Sequence, residues 1–234
     1  DSAMRYLIIG LGIYGSNLAL DLTKMGHEVI GADNRESIVE SIKDSISTAY
    51  IIDSTDAASL QMLPLKNVDI VIVAIGENFG ASVRTVALLK SLGVEHIYAR
   101  AIDKLHESIL EGFRVDRIIT PEQRAASDLV EEIELGNNVK SMKIDDDTFV
   151  IRFEAPVYFY GIRYHDLRLR EDYGLTLVAV ARPKEVTGIL RTPTLRHEVI
   201  DIESDPTITV EKGDTLTCIG TREAWRDFCR HING

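Results

Sequence analysis

The sequence predicts an α/β protein: a doubly wound parallel sheet followed by a smaller α+β domain. Three observations carry that expectation. Through the first 137 residues, short β-branched runs alternate with amphipathic stretches, the pattern of repeated strand–helix units. Most of those runs are apolar throughout, as strands covered on both faces are. From Val139 onward the apolar residues fall into shorter alternating runs, as strands covered on one face do.

The expected strands of the first part are Tyr6–Ile9, Val29–Ala32, Thr48–Ile52, Ile70–Ala74, His96–Ala99 and Arg117–Ile119. Helical patterns lie between them at about 15–25, 36–43, 56–62, 78–92, 104–112 and 121–135. Gly26 and Gly93 stand where helices end on a left-handed residue. Thr120-Pro121 places proline in a first helical turn behind an N-cap threonine. Right-handed crossovers then wind the helices over both faces of the sheet.

The pattern changes near Gly136-Asn137-Asn138, which sets the expected domains at residues 4–137 and 138–234. In the second, strands are expected at Phe149–Phe153, Leu175–Ala181, Thr207–Val210 and Thr215–Ile219. Turns are expected at Arg182-Pro183, Asp205-Pro206 and Lys212-Gly213-Asp214. A short helix near 164–170 and a closing helix at 222–231 complete it. Asp1-Ser2-Ala3 reads as an appended remnant before Met4, the expected native start.

Composition narrows the function classes. With 45% hydrophobic and 27% charged residues the chain is globular rather than disordered. A net charge of −11 argues against nucleic acid as a partner, because phosphate backbones need a basic surface. It fits a cytoplasmic protein kept in solution by its charge. The apolar run Ile70–Gly76 is far shorter than the roughly 20 residues a bilayer crossing needs. Cys218 and Cys229 cannot make a disulfide framework and read as small buried hydrophobes. The six histidines are scattered, none at a ligand spacing with a carboxylate, so no metal site is expected.

The motif with chemical content is Gly10-Leu-Gly12-Ile-Tyr-Gly15, between the first strand and the first helix. Gly10 permits the tight turn, Gly12 lets backbone approach a phosphate, and Gly15 lets helix and strand pack closely. The helix N-terminus adds unpaired N–H groups and a positive dipole. Asp33 closes the second strand, where a carboxylate accepts from a ribose 2′,3′-hydroxyl pair. The same carboxylate repels a 2′-phosphate, so NADP is disfavoured. Further loops follow the third and fourth strands, at Asp53-Ser54-Thr55-Asp56 and Gly76-Glu77-Asn78, where ligand groups also collect. Asp56 reads equally as a plain helix cap. Arg100 ends the fifth strand and Glu122 begins the helix after the sixth. That arginine suits a phosphate or a surface ion pair.

With these residues assembled, the chain resembles the RCK (KTN) family, the cytosolic regulators of Trk/Ktr-type potassium transport. The first half matches the RCK-N pattern in GLGIYG, GHEVIGAD, IDSTD, VIVAIGEN, YARA and DRIITPE. The second resembles RCK-C in YGIRYHDLRLREDYGLTLVAVAR and VEKGDTLTCIGTREAWRDF. The resemblance implies a Rossmann-like first domain, residues 4–137, holding NAD(H), ATP or ADP, and a regulatory second domain, residues 138–234. It implies phosphate binding at Gly10, Gly12 and Gly15 and ribose binding at Asp33. Asp53 and Ser54 would flank the adenine, while Ala74, Ile75, Gly76 and Asn78 line the pocket. Arg100 would lie near the phosphates, with Glu122 near the terminal phosphates or a cation. Ile13 and Tyr14 in the loop, and Asn34 and Arg35 past Asp33, complete the implied contacts.

The resemblance further implies a homodimer assembling into an octameric ring. That ring would sit on the inner face of the cell membrane, gating a separate membrane-embedded potassium-translocating subunit. Relatives that respond to ATP often carry arginine where this chain has Ile13, so a terminal phosphate loses a contact worth about 1.5–3 kcal/mol. That leaves NAD(H) or a diphosphate open, with Arg35 a candidate to cover the adenine or a phosphate. Some relatives bind cyclic di-AMP in the second domain. The matching residues here are Ile162, Arg163, His165, Asp166 and Arg168, which read equally as an ordinary amphipathic helix.

The competing class is an NAD-dependent oxidoreductase. Hydride transfer needs an acid or base beside the nicotinamide. None of the eight tyrosines has a lysine four residues on, and the second domain shows no cluster of His, Lys and acids at strand ends. A regulator needs only a ligand that binds two conformers unequally, so the expectation is a non-enzyme. A stand-alone nucleotide-binding protein is the third class.

Overall fold

The computed structural model describes residues 3–136, 139–187 and 193–232. The chain divides into two compact units, Asp1–Arg124 and Ala125–Gly234. The boundary expected at 137/138 lies outside the described residues.

The first unit runs β1 (Arg5–Ile9), α1 (Ile13–Lys24), β2 (Glu28–Asp33), α2 (Glu36–Ile42), β3 (Thr48–Ile51) and α3 (Ala57–Gln61). It continues with β4 (Ile70–Val73), α4 (Phe79–Ser91), β5 (Ile97–Arg100), α5 (Lys104–Gly112) and β6 (Arg117–Ile119), and α6 (Pro121–Leu135) begins here. Every strand and helix expected in this part is present, with ends shifted by a residue or two. The six strands pair in parallel in the order β3-β2-β1-β4-β5-β6. The chain therefore leaves the centre in both directions, and the switch point lies between β1 and β4.

Alternate residues of the strands serve opposite faces, which explains their unbroken apolar runs. Leu7 and Ile9 line one face with Ile30, Ala32, Val71 and Val73, under Leu60, Val86, Leu89 and Leu110 of the helices. Ile8, Val29 and Ile72 line the other, under Ala19, Val39 and Ile42. Each such fully buried aliphatic side chain contributes about 1.5–3 kcal/mol. Helix ends follow local chemistry: Gly26 and Gly93 take φ of 91° and 75° just past α1 and α4. Asp56 caps α3 by accepting from the Ser59 amide at 2.8 Å, and Asp103 caps α5 through the His106 amide.

The second unit contains β7 (Lys140–Lys143), β8 (Thr148–Glu154), α7 (Leu169–Tyr173), β9 (Thr176–Thr187), β10 (Pro193–Ile200), β11 (Thr215–Thr221) and α8 (Arg222–Ile232). Its antiparallel sheet has the order β10-β9-β11-β8-β7. Strict alternation in β8 and β11 buries Phe149, Ile151, Phe153, Leu216 and Cys218 on one face. Trp225 and Phe228 of α8 pack against Phe153, and the Trp225 indole donates to the Leu135 carbonyl.

Three expectations for this unit are corrected. Thr207–Val210 is not a strand; among the described residues its ladder pairing is a single bridge from Thr209 to Arg163. Arg182-Pro183 is not a turn but lies inside β9, opposite Glu198 and His197. The β11 pairing of β9 ends at Ala181, so Pro183 sits where the strand has lost that neighbour and its missing N–H is tolerated. The helix expected near 164–170 splits into a 3₁₀ turn at Tyr164–Asp166 and the separate α7, with Leu167 extended between them. Two polar edge strands, β7 and β10, were not anticipated.

One buried network explains the first and third of these. Asp214 is fully buried and accepts from the Tyr164 hydroxyl (2.7 Å), from Arg182 Nε and Nη2 (2.8 and 2.9 Å) and from the Glu211 amide (2.9 Å). Arg182 also donates to the Thr209 carbonyl. Side-chain anchoring thus replaces a ladder for residues 207–210 and pins Tyr164 into a tight turn. Burial pushes the Asp214 carboxyl up, but the Arg182 hydrogen bond and those from Glu211 and Tyr164 outweigh it and leave it below the usual range.

Candidate nucleotide site

The three loop glycines differ in what requires them. Gly10 has φ of 97°, and a Cβ there would stand 2.9 Å from the Ile75 nitrogen. Gly15 is a packing glycine, since its Cβ would stand 1.9 Å from the Gly10 carbonyl oxygen. Gly12 is neither: its φ is −64°, and a Cβ would meet only the Arg35 guanidinium, at 3.9 Å. Neither backbone conformation nor packing asks for glycine there. What the missing side chain leaves open is the face of the N-terminus of α1, whose first amides no intrahelical carbonyl can reach. Gly12 is the N-cap of that helix and provides no side-chain cap.

Asp33 sits against this loop at the end of β2. Its side chain is 4% exposed. One oxygen accepts from the Leu11 amide (2.8 Å) and Arg35 Nη2 (3.1 Å), the other from the Arg35 amide (2.9 Å) and Nε (3.0 Å). Burial pushes this carboxyl up; the Arg35 hydrogen bond and the two amides pull it further down, so it stays ionised. The carboxylate therefore does two jobs visible in the fold: it holds the glycine loop through Leu11 and draws Arg35 across toward Gly12.

Arg100, at the end of β5, lies beneath Gly76. Its guanidinium nitrogens would be 2.5 and 2.9 Å from a Gly76 Cβ, so the glycine makes the room. It stacks 5.5 Å from the centroid of the Tyr14 ring and pairs with Glu122 at the start of α6. Its Nε is buried without a hydrogen-bond partner. A cation with an unused buried donor beside the loop suits an anionic ligand.

The structure thus brings together Gly10, Gly12, Gly15, Tyr14, Asp33, Arg35, Ala74, Ile75, Gly76, Arg100 and Glu122 around the carboxyl ends of β1, β2, β4 and β5. Ile13 points outward and is 88% exposed. Asn34 is exposed between Asp33 and Arg35. Three other residues are engaged elsewhere. Asn78 caps α4 through the Ala81 amide. Asp53 turns back on Thr55, whose hydroxyl and amide hold its carboxyl below the usual range. The Ser54 hydroxyl is buried against Thr85 at 2.8 Å.

Sequence reasoning did not find the Leu11 amide, a backbone group with no side-chain signal. It also did not find His106, fully buried on α5 with its ring edge-on to Phe79 of α4. The Ile102 amide donates to His106 Nδ1 and Nε2 lies 3.0 Å from the Ser82 hydroxyl, so the ring is neutral with its proton on Nε2. In the second unit, Arg163 pairs with Asp166, Arg168 with Asp172, and His165 Nε2 lies 3.1 Å from the Ile202 carbonyl. Each of those charges is answered locally. Among the described residues, no helix is long and apolar enough to cross a membrane.

Comparison with known proteins gives the family and the fold. The TrkA-N domain family matches residues 6–121. Ktr system potassium uptake protein C of Bacillus subtilis is 36% identical over 84% of this chain and 89% of its own length. Ktr system potassium uptake protein A of the same organism is 31% identical over 75% of this chain and 79% of its own. The crystal structure of the GsuK RCK domain superposes with a TM-score of 0.63 at 14% identity, covering all of this chain and 48% of that one; at that identity the likeness is one of fold. The chain belongs to the family of TrkA-N domain proteins of the Ktr potassium uptake systems.

Proposed function

We propose that this protein is a nucleotide-binding regulatory subunit of a Ktr/Trk-type potassium uptake system. The observation that carries the nucleotide reading is Gly12, a glycine that neither φ nor packing requires, at a helix N-terminus beside a buried carboxylate. Phosphate would approach the α1 amides over Gly12, and a ribose diol would take Asp33. NAD(H), ATP and ADP share the ribose and phosphate this arrangement suits; a 2′-phosphate would meet the Asp33 carboxylate, which disfavours NADP. The uptake reading is supported by the Ktr relatives.

In this reading, ligand exchange changes the charge near Gly12, Arg100 and Glu122, and unequal affinity for two conformers does the regulating. A partner membrane subunit, a ring of dimers and a place on the inner face of the membrane belong to the same proposal. An oxidoreductase is less favoured, because no tyrosine, Tyr14 of the loop included, has a lysine four residues on to make the usual hydride-transfer pair.

Calorimetric titration of the purified protein with NADH, NAD, ATP, ADP and NADP tests the site. Binding of at least one of the first four, with NADP weaker, is expected; binding of none overturns the nucleotide reading. Cyclic di-AMP in the same series tests the segment at about 162–173. Deletion of the gene, followed by potassium uptake at low external potassium, tests the transport role. Unchanged uptake, with no potassium-translocating subunit co-purifying from membranes, would overturn it.

A further inference from the structure

The Asp33 carboxylate is saturated from within the chain, and its principal partner is able to leave. Arg35 offers it a two-pronged guanidinium contact, at 3.0 and 3.1 Å, the geometry in which arginine binds carboxylates best. Yet the Arg35 side chain is 51% exposed while Asp33 is almost fully enclosed. Arg35 can swing into solvent; Asp33 then keeps the Leu11 and Arg35 amides but gives up two of its four donors and its counter-charge, which is costly for a buried carboxylate. A ribose diol supplies two hydroxyl donors in place of the fork.

Where Arg35 goes next follows from its surroundings. Its Nη2 is 3.9 Å from the position of a Cβ on Gly12, on the face open to a phosphate. Ile13, the first residue of α1, brings no charge there. Arg100 is confined under Gly76 and paired with Glu122. Of the two arginines beside the loop, Arg35 is the one free to change partners.

We propose that Arg35 is an exchangeable counter-ion: it pairs with Asp33 until a ribose diol takes that carboxylate, then turns to the ligand's phosphates over Gly12. The inference rests on the nucleotide-binding reading and deepens it. It makes the sugar and phosphate contacts depend on each other. A nucleoside breaks the Asp33–Arg35 pair and leaves the guanidinium without a new partner, whereas a nucleoside diphosphate provides one. Arg35 is thereby a specificity-determining residue that selects phosphorylated ligands over adenosine.

The experiment is a calorimetric titration of the full chain and its Arg35→Met variant with adenosine and with ADP. Met keeps most of the apolar stem and removes the charge. The variant is expected to bind adenosine about three- to tenfold more tightly than the wild type and ADP at least about tenfold more weakly. Arg35→Lys, which keeps charge but not the fork, is expected to recover most of the ADP affinity. Shifts of both ligands in the same direction, or no shift in either, overturn the exchange. If the wild type binds ADP and the shifts are parallel, only this inference falls; if the wild type binds no nucleotide, the reading beneath it falls as well.

Discussion

Replacing Gly15 by alanine pits two known effects against each other. In a helix interior, Gly→Ala by itself stabilises by about 1 kcal/mol, and Gly15 lies in the first turn of α1. Against that, the new Cβ would stand 1.9 Å from the Gly10 carbonyl oxygen and 3.4 Å from the Ala74 Cβ. The oxygen belongs to backbone that cannot rotate away: Gly10 is held at φ of 97° and its amide donates to the Ala32 carbonyl at 2.8 Å. Helix and strand must separate by about 1 Å or more to reach ordinary contact, and overpacking of that kind costs typically about 1–3 kcal/mol or more. The clash falls at the upper end because backbone, not a side chain, must move. The net is a loss of about 2 kcal/mol, or a fall in melting temperature of roughly 5–10 °C for a unit of this size. Gly112→Ala, at the end of α5 with nothing within 4 Å, is the control and should melt at or slightly above the wild-type temperature. Calorimetry of the three proteins decides the matter. A Gly15→Ala protein that melts with the Gly112→Ala control would refute the packing argument.

Gly12→Ala should show the opposite dissociation. Its stability in a urea melt should fall by only about 1 kcal/mol, the cost of alanine in place of glycine at an N-cap, while nucleotide affinity falls at least about tenfold; retained affinity would count against phosphate approach over Gly12. Asp214→Ala strips the partner from Arg182, Tyr164 and the Glu211 amide and should cost about 3–5 kcal/mol, seen as loss of near-ultraviolet dichroism from the Trp225 cluster with the first unit's melt unchanged. Burial depresses the His106 pKa, with a smaller opposing pull from Asp103. The unfolded chain therefore takes up a proton near pH 6.5 and the folded chain only below it. The stability this neutral ring contributes is complete above about pH 6.5 and is lost as pH falls toward the folded value. His106→Asn should lose less stability than wild type between pH 7.5 and 5.5; equal losses in urea midpoints would exclude the histidine as the source.

The first unit was legible because its signals are local. A short unbroken run such as Ile70–Val73, rich in β-branched residues, reads as a strand covered on both faces, and Gly26, Gly93 and Asp56 mark helix ends through bonds spanning a few residues. In the second unit the deciding contacts are distant in sequence. Asp214 reaches Tyr164 fifty residues away and Arg182 thirty-two away, and that is why Thr207–Val210 looks like a strand and is not. The strands β7 and β10 escaped notice because an edge carrying Lys140, Lys143, Arg196 and Glu198 buries too little to leave an apolar pattern. At the candidate site, the glycines and Asp33 could be found from spacing alone. That Arg35 would fold back on Asp33, that Gly12 is sterically unnecessary, and that Arg100 needs Gly76 are facts of three-dimensional placement with no counterpart in spacing.

The strand orders of the two sheets have a consequence for how the chain matures as it leaves the ribosome. In the first unit each new strand after β4 adds to an existing edge, so the sheet can grow outward while synthesis continues. In the second, β11 is the last strand and the central one: β9–β10 and β8–β7 pair with each other and only β11 joins the two ribbons. Until residues 215–221 emerge, the aliphatic faces of β8 and β9 have no common sheet and Asp214 has not yet reached Tyr164. Nascent chains stalled short of β11 should be cleaved by protease throughout residues 139–200 while residues 5–119 resist. Protection of both parts at that length would show that the two ribbons find each other without their central strand.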